Sequence, residues 1–246
     1  MKHNFSRLEL AIGNENLKKL ADSTVVVLGI GGVGSYAAEA LARSAVGRLI
    51  LVDKDVVDIT NINRQIHALT STIGQSKVEL MRERVMEINP NCEVITLPIF
   101  FNEETVEQIF QYNPDYIVDA IDTVTSKITL IIECKKRNIA LISSMGTANK
   151  LDPTQFVVAD ISKTHMDPIA KVIRQRLRKL GIHKGVQVVF SPEKPLEPIQ
   201  ELYDEIGKKD SEIRKEKNPP ASNGFVPPVA GMIMASVVVR DIINKN

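Results

Sequence analysis

Residues 25–41 read VVVLGIGGVGSYAAEAL, and this stretch decides the fold. Val25 to Leu28 form a short apolar run that ends on Gly29, and an alanine-rich segment follows Gly34. An apolar run of this length bounded by glycine reads as a buried strand, and Val33 to Ala45 reads as a helix. The glycines between them suit phosphate. Gly29 permits the tight turn, Gly31 and Gly32 let a phosphate approach the backbone, and Gly34 lets the helix pack close to the sheet. The helix N-terminus then offers free N–H groups and a positive dipole end to an anion. The next apolar run, RLILVD, ends on Asp53, where a carboxylate can accept hydrogen bonds from ribose hydroxyls. The glycines alone do not separate NAD from ATP.

Along the chain, apolar runs and helical patterns alternate. SKVELMRERVMEI places Val78, Met81, Val85 and Ile88 on one helical face, CEVITL is a third strand, and Glu103 to Tyr112 is a helix. DYIVDAID is a fourth strand, Thr125 to Asn138 a helix and IALISS a fifth strand. Such alternation predicts an α/β fold, a Rossmann-like, mostly parallel sheet with helices on both faces. Beyond Gly146 the pattern changes. QFVVADI and VQVVFS read as strands flanking a basic helix, Pro168 to Leu180. A polar, charge-rich stretch reads as a long mobile loop, about residues 200–223. An apolar helix from about Val229 to Ile243 closes the chain.

Composition narrows the function classes. Net charge is +1 and 43% of the 246 residues are hydrophobic, so any nucleic-acid surface must be local. The two cysteines, Cys92 and Cys134, form no CxxC, which argues against a disulfide scaffold or a four-cysteine zinc site and fits a cytoplasmic protein. No secretory signal is visible in MKHNFSRLEL, and FVPPVAGMIMASVVV, with its two prolines, reads as a buried helix rather than a membrane span.

The residues after Asp53 separate the two nucleotides. Arg64 lies in NINRQ, Lys77 opens a helix, and Asp122 stands where the fourth strand runs out. A dehydrogenase has little use for several cations near the phosphates. When a carboxylate attacks the α-phosphorus of ATP, charge builds on the phosphoryl oxygens and on the departing pyrophosphate. Arg and Lys stabilise that charge, and a carboxylate can hold the Mg²⁺ that bridges the phosphates.

GIGGVG, Asp53, NINRQ, Lys77 and DAID, in this order, resemble the ThiF/MoeB family, relatives of the ubiquitin-activating enzymes. The resemblance implies one adenylation domain over 1–246, with a nucleotide-binding part (1–150) and a substrate-binding and dimerisation part (151–246). It implies that Asp53 holds the ribose, that Asn61, Arg64 and Lys77 face the phosphates beside Gln65, and that Asp122 binds Mg²⁺. It also implies a homodimer in which Arg7, in FSRLELAIG, reaches the partner's site.

Many members of that family adenylate a ubiquitin-like or sulfur-carrier protein, several with zinc-binding CxxC pairs or a loop cysteine. This chain has neither. Lys171, Arg174 and Arg178 fall on one face of the basic helix at i, i+3 and i+7, a phosphate-contact pattern or a solvated face. Lys208, Lys209, Arg214, Lys215 and Lys217 in the loop could close over the same ligand. DPTQFVVADISKTHMDPIAKVIRQRLRK and NGFVPPVAGMIMASVVVRDI are similar to the branch of tRNA threonylcarbamoyladenosine dehydratases. That branch implies ATP and Mg²⁺ as cofactors, tRNA as partner, and ring closure without an enzyme thiol. The alternatives are an activator of a carrier protein, a non-catalytic RNA-binding protein and, last, an NAD dehydrogenase. A sulfur-mobilising or carrier protein is a further possible partner. Ser143, Ser144 and Thr147 line the end of the fifth strand and could touch substrate.

Overall fold

Seven strands form where the apolar runs predict them. The computed structural model describes residues 2–206 and 219–245. Its elements are α1 (Ser6–Ala21), β1 (Thr24–Leu28), α2 (Gly34–Arg43), β2 (Arg48–Val52), α3 (Lys77–Ile88), β3 (Glu93–Leu97), α4 (Val106–Phe110), β4 (Tyr116–Asp119), α5 (Val124–Arg137), β5 (Ala140–Ser144), β6 (Val157–Asp160), α6 (Pro168–Lys179), β7 (Gln187–Phe190), α7 (Tyr203–Ile206) and α8 (Val226–Ile243). The sheet order is β3-β2-β1-β4-β5-β7-β6. All neighbours are parallel except β6, which runs antiparallel to β7.

Strand residues alternate between two cores, because successive side chains leave opposite faces. Val25, Val27, Leu49, Leu51 and Val118 face α2, α3 and α8. Val26, Leu28, Ile50 and Ile117 face α4 and α5. A third cluster joins α5 to α6 through Ile131, Ile173 and Leu177, under Val188 of β7. Burial on both faces is why these strands read as unbroken apolar runs.

Several boundaries differ from the sequence expectation. β4 stops at Asp119, so Asp122 lies three residues beyond the strand. The chain turns there because the Asp119 carboxylate accepts a hydrogen bond from Ile121 N–H at 3.1 Å. The stretch from Glu103 begins as a 3-10 turn before α4. α8 starts at Val226 rather than Val229, with Pro227 and Pro228 in its first turn, where a missing N–H costs no helical bond. Among the described residues α8 is the one helix long and apolar enough to cross a membrane. It packs mainly on α2, and Gly231 makes this possible: a Cβ there would stand 2.2 Å from Val33 O.

Residues 207–218, with the five basic loop positions expected to close over a ligand, lie outside the described residues. The described ends of that crossover are anchored. Leu196 N–H donates to Asn149 O at 2.7 Å, and Ala221 N–H donates to Asn149 Oδ1 at 2.8 Å. Residues 200–206 form a 3-10 turn and the short α7.

Candidate active site

A cleft of about 380 Å³ opens at the carboxyl ends of β1, β2 and β4. The strand order reverses direction between β1 and β4, and such switch points are where open α/β sheets bind ligands. Gly29, Gly31, Gly32, Asp53, Asn61, Arg64, Gln65, Lys77 and Asp122 all line it. Gly34 lies beneath the lining.

The glycine loop is tight for identifiable reasons. Gly29 has φ +86°, and a Cβ there would sit 2.6 Å from Ala120 O. At Gly34 a Cβ would meet Gly29 O at 1.7 Å, so the start of α2 folds directly onto the turn. Gly32 packs under Pro227 and the Arg64 stem. Gly31 leaves its side open to the cleft.

Asp53 holds this loop as well as facing the cleft. Its Oδ2 accepts from Ile30 N–H at 2.7 Å and its Oδ1 from Asp55 N–H at 2.9 Å. Each oxygen keeps a second lone pair for a ribose hydroxyl. Burial raises its pKa, against the pull of the nearby Lys77 charge.

The cations lie on the loop after β2 and on α3. Arg64 follows a 3-10 turn, Ile59–Asn61, capped by Asp58. One terminal nitrogen of Arg64 donates to Thr60 O at 2.7 Å and to Asn63 Oδ1 at 2.9 Å. Burial pulls its pKa down, with Asp58 opposing. Gln65 is buried, and its Oε1 has no protein partner. The other polar side-chain atom, Nε2, lies nearest Gly31 of the glycine loop. Lys77 opens α3 with its side chain 7% exposed and its Nζ 3.3 Å from Asp55 Oδ2. Asp122 projects from the turn after β4, its carboxylate 3.3 Å from the Thr123 hydroxyl that donates to it. Leu28, Val52, Ile99, Phe100 and Phe101 supply an apolar wall.

The structure does not bring every predicted residue here. Arg7 is exposed on α1 and does not line the cleft within one chain. Ser143 and Ser144 are buried, and of the three candidates near β5 only Thr147 reaches the cleft. On α6, Lys171 and Arg178 are exposed. Arg174 is half-buried, and one terminal nitrogen is bonded to Thr164 O at 2.8 Å and to the Thr164 hydroxyl. Asp167, the acid just before that helix, is buried at its N-terminus.

Two buried ion pairs escaped the sequence reading. Asp119 Oδ1 lies 3.0 Å from Lys127 Nζ, and Ser143 Oγ donates to Asp119 Oδ2 at 2.6 Å. Lys150 lies 3.5 Å from Asp167. The signal was faint: a lysine inside the apolar pattern of SKITLII, with its partner on another strand. Both cysteines are buried and lie outside the cleft. Burial pushes the Cys92 thiol up to about 11 and the Cys134 thiol higher still. A second cleft, at the opposite end of β4 and β5, is lined by groups that bond to each other: Tyr116 donates to Asp241 at 2.8 Å.

Comparison with known proteins agrees with this geometry. The ThiF family profile matches residues 5–245. The tRNA threonylcarbamoyladenosine dehydratase of Bacillus subtilis (strain 168) is 63% identical over 99% of this chain and 96% of its own length. That of Escherichia coli (strain K12) is 44% identical over 74% of this chain and 70% of its own length. The crystal structure of E. coli tRNA N6-threonylcarbamoyladenosine dehydratase in complex with ATP superposes with a TM-score of 0.87 and 35% identity, covering 98% of this chain and 93% of that one. Its complex with AMP gives 0.86 and 36%, over 98% and 94%. The chain belongs to the ThiF family, in the group of the tRNA threonylcarbamoyladenosine dehydratases.

Proposed function

We infer that this chain uses ATP to dehydrate N6-threonylcarbamoyladenosine in tRNA. The threonine carboxylate attacks the α-phosphorus of ATP and expels pyrophosphate. The carbamoyl group then attacks the acyl-adenylate carbonyl, the ring closes, and AMP leaves with a proton lost. The net change in the nucleoside is loss of one water. The observation that carries this reading is the convergence of the glycine loop, Asp53, Arg64, Lys77 and Asp122 on one cleft.

Each residue has a part. Asp53 accepts from the ribose hydroxyls. The apolar wall of Val52, Ile99 and Phe100 takes the base. Gln65, whose Nε2 lies beside Gly31, offers an amide donor next to the phosphates. Arg64, Lys77 and Asn61 face the phosphates, where the cations stabilise charge as it develops. Asp122 fits a magnesium ion. It is a single carboxylate, and no group of three candidate ligands occurs among the described residues; Mg²⁺ takes most of its ligands from phosphate and water. When bound, the ion would neutralise phosphate charge.

Ring closure is intramolecular, so it needs no enzyme thiol. The buried, proton-retaining Cys92 and Cys134 support that route. Lys171 and Arg178 offer an exposed basic face for tRNA phosphates. The active unit is a homodimer in which Arg7 of one protomer enters the cleft of its partner, and the working compartment is the cytoplasm. The test is ATP–pyrophosphate exchange, run once with bulk modified tRNA and once with a sulfur-carrier protein. Exchange with tRNA and not with the carrier supports the reading; the reverse result replaces it with carrier activation.

A further inference from the structure

We propose that Asp167 is a positioning residue that ties the N-terminus of α6 to the wall of the adenylation cleft, so that RNA held on α6 is registered against the reacting phosphate. The inference rests on the tRNA reading above. Its basis is one buried carboxylate with three kinds of partner. Asp167 Oδ1 accepts from Ala170 N–H at 2.9 Å and caps α6. Oδ2 accepts from Gly146 N–H at 3.0 Å, one residue before Thr147 and Ala148, which line the cleft. Lys150, 1% exposed, stands 3.5 Å from the same oxygen.

An N-cap alone does not require this arrangement. A serine would cap α6 without a buried charge. The second oxygen and the lysine act on the segment after β5, not on the helix. Lys150 Nζ also donates to Ser191 O at 2.8 Å, at the exit of β7. Asn149, held at φ +58°, bonds both limbs of the crossover through Leu196 and Ala221. Lys150 O accepts from Asn223 Nδ2 at 2.7 Å, and Asn63, beside Arg64, donates to Ser222 O at 3.0 Å. Pro220 and Ser222 line the cleft as well. Residues 146–150 are therefore a junction, and Asp167 is the link from it to the helix carrying Lys171 and Arg178. With the link intact, a shift of α6 moves the cleft wall with it.

The test uses the full chain and two variants. Asp167→Asn keeps the size but turns a donor toward Gly146 N–H or Lys150. The double variant Asp167→Ser with Lys150→Met keeps a capping oxygen, removes both buried charges together, and gives up the bond to Gly146. Steady-state dehydration of threonylcarbamoyl-tRNA should show kcat/KM for tRNA reduced by on the order of a hundredfold, the scale of a displacement of about 1 Å at a reacting centre. Affinity for ATP and nucleotide-binding stoichiometry should match the parent. A merely structural role would lower the stoichiometry and leave kcat/KM per active site unchanged. Parental kcat/KM for tRNA in the folded double variant overturns the proposal. If neither variant folds, amide exchange in the parent decides. Unmodified tRNA transcript, which carries no group for the cleft, should slow exchange at Gly146 and Thr147, and no change there overturns the link. A parent that fails to dehydrate the tRNA at all defeats the functional reading instead.

Discussion

Lys77→Met tests the transition-state charge proposed for this residue at small structural cost. The side chain is 7% exposed, so its stem packs as a hydrophobe and methionine replaces most of it. Its ion-pair partner, Asp55, is 54% exposed. Solvent screens such a pair, and losing it costs about 1 kcal/mol or less. Lys77 also opposes the upward pKa shift of Asp53, so the variant should raise that pKa further. In the proposed reaction the same ammonium would face the charge that grows as pyrophosphate leaves, in a cleft partly shielded from water. Removing one such donor typically costs 2.7–4 kcal/mol, about a hundred- to a thousandfold in rate. Activity should therefore fall far more than stability. The assays are ATP–pyrophosphate exchange and single-turnover dehydration, with thermal unfolding as control. Asp55→Asn, which removes the exposed partner, should change turnover little. Near-parental exchange in folded Lys77→Met would refute the placement of phosphate at Lys77.

Other outcomes follow from the same structure. Cys134→Ser and Cys92→Ala should retain ring closure; a folded variant that adenylates normally yet yields no cyclic product would require a thiol step. Mixing inactive Arg7→Ala with inactive Asp122→Asn subunits should partly restore activity through one composite site, and no recovery in verified mixed dimers would place Arg7 outside the reaction. Lys171→Ala with Arg178→Ala should flatten the salt dependence of tRNA affinity by roughly one unit per lost phosphate contact, leaving ATP affinity unchanged; an unchanged slope would remove α6 as the RNA surface. His67 is buried, neither ring nitrogen has a protein partner, and burial with the charges of Lys77 and Arg84 lowers its pKa to about 4. The unfolded chain then binds the extra proton first, so up to about 3 kcal/mol of stability should be lost as pH falls from about 6.5 to 4. His67→Leu should flatten that loss, and an equally steep decline in the variant would show that the ring is not held neutral.

What could be read from sequence was what local pattern encodes. The strands announced themselves as apolar runs because both sheet faces are covered, and the glycine loop because its backbone tolerates no Cβ at Gly29 or Gly34. The two acids of VDAID show the limit. Pattern extended β4 through both, but the chain turns after Asp119. The first acid goes into a buried pair with Lys127, and only the second reaches the cleft. Arg174 is similar. Helical spacing placed it correctly between Lys171 and Arg178, but it could not show that Thr164 lies within its reach. The burial of Asp167 had no local signal because its partners, Gly146 and Lys150, precede it by 21 and 17 residues on a different segment.

The same limit explains why the cleft is not the property of the glycine-loop half alone. Its lining comes from 28–33, 52–77, 99–123 and 147–148, and then from Pro220, Ser222 and Pro227 near the C-terminus. Pro227 is in the first turn of α8 and packs on Gly32; four residues on, Gly231 seats the helix against Val33 O at the start of α2. α2 is the helix whose free N–H groups would meet a phosphate, and α8 buries its other side through Ala230, Met234 and Val238. The apolar helix α8 thus holds the glycine loop from behind and, through Pro227, covers part of it in front. A ligand that binds the glycine loop only in this assembled form stabilises the α2–α8 contact by linkage. This is a physical reason for an unbroken apolar helix so late in the chain: without it the loop keeps its glycines but loses the surface that fixes their conformation.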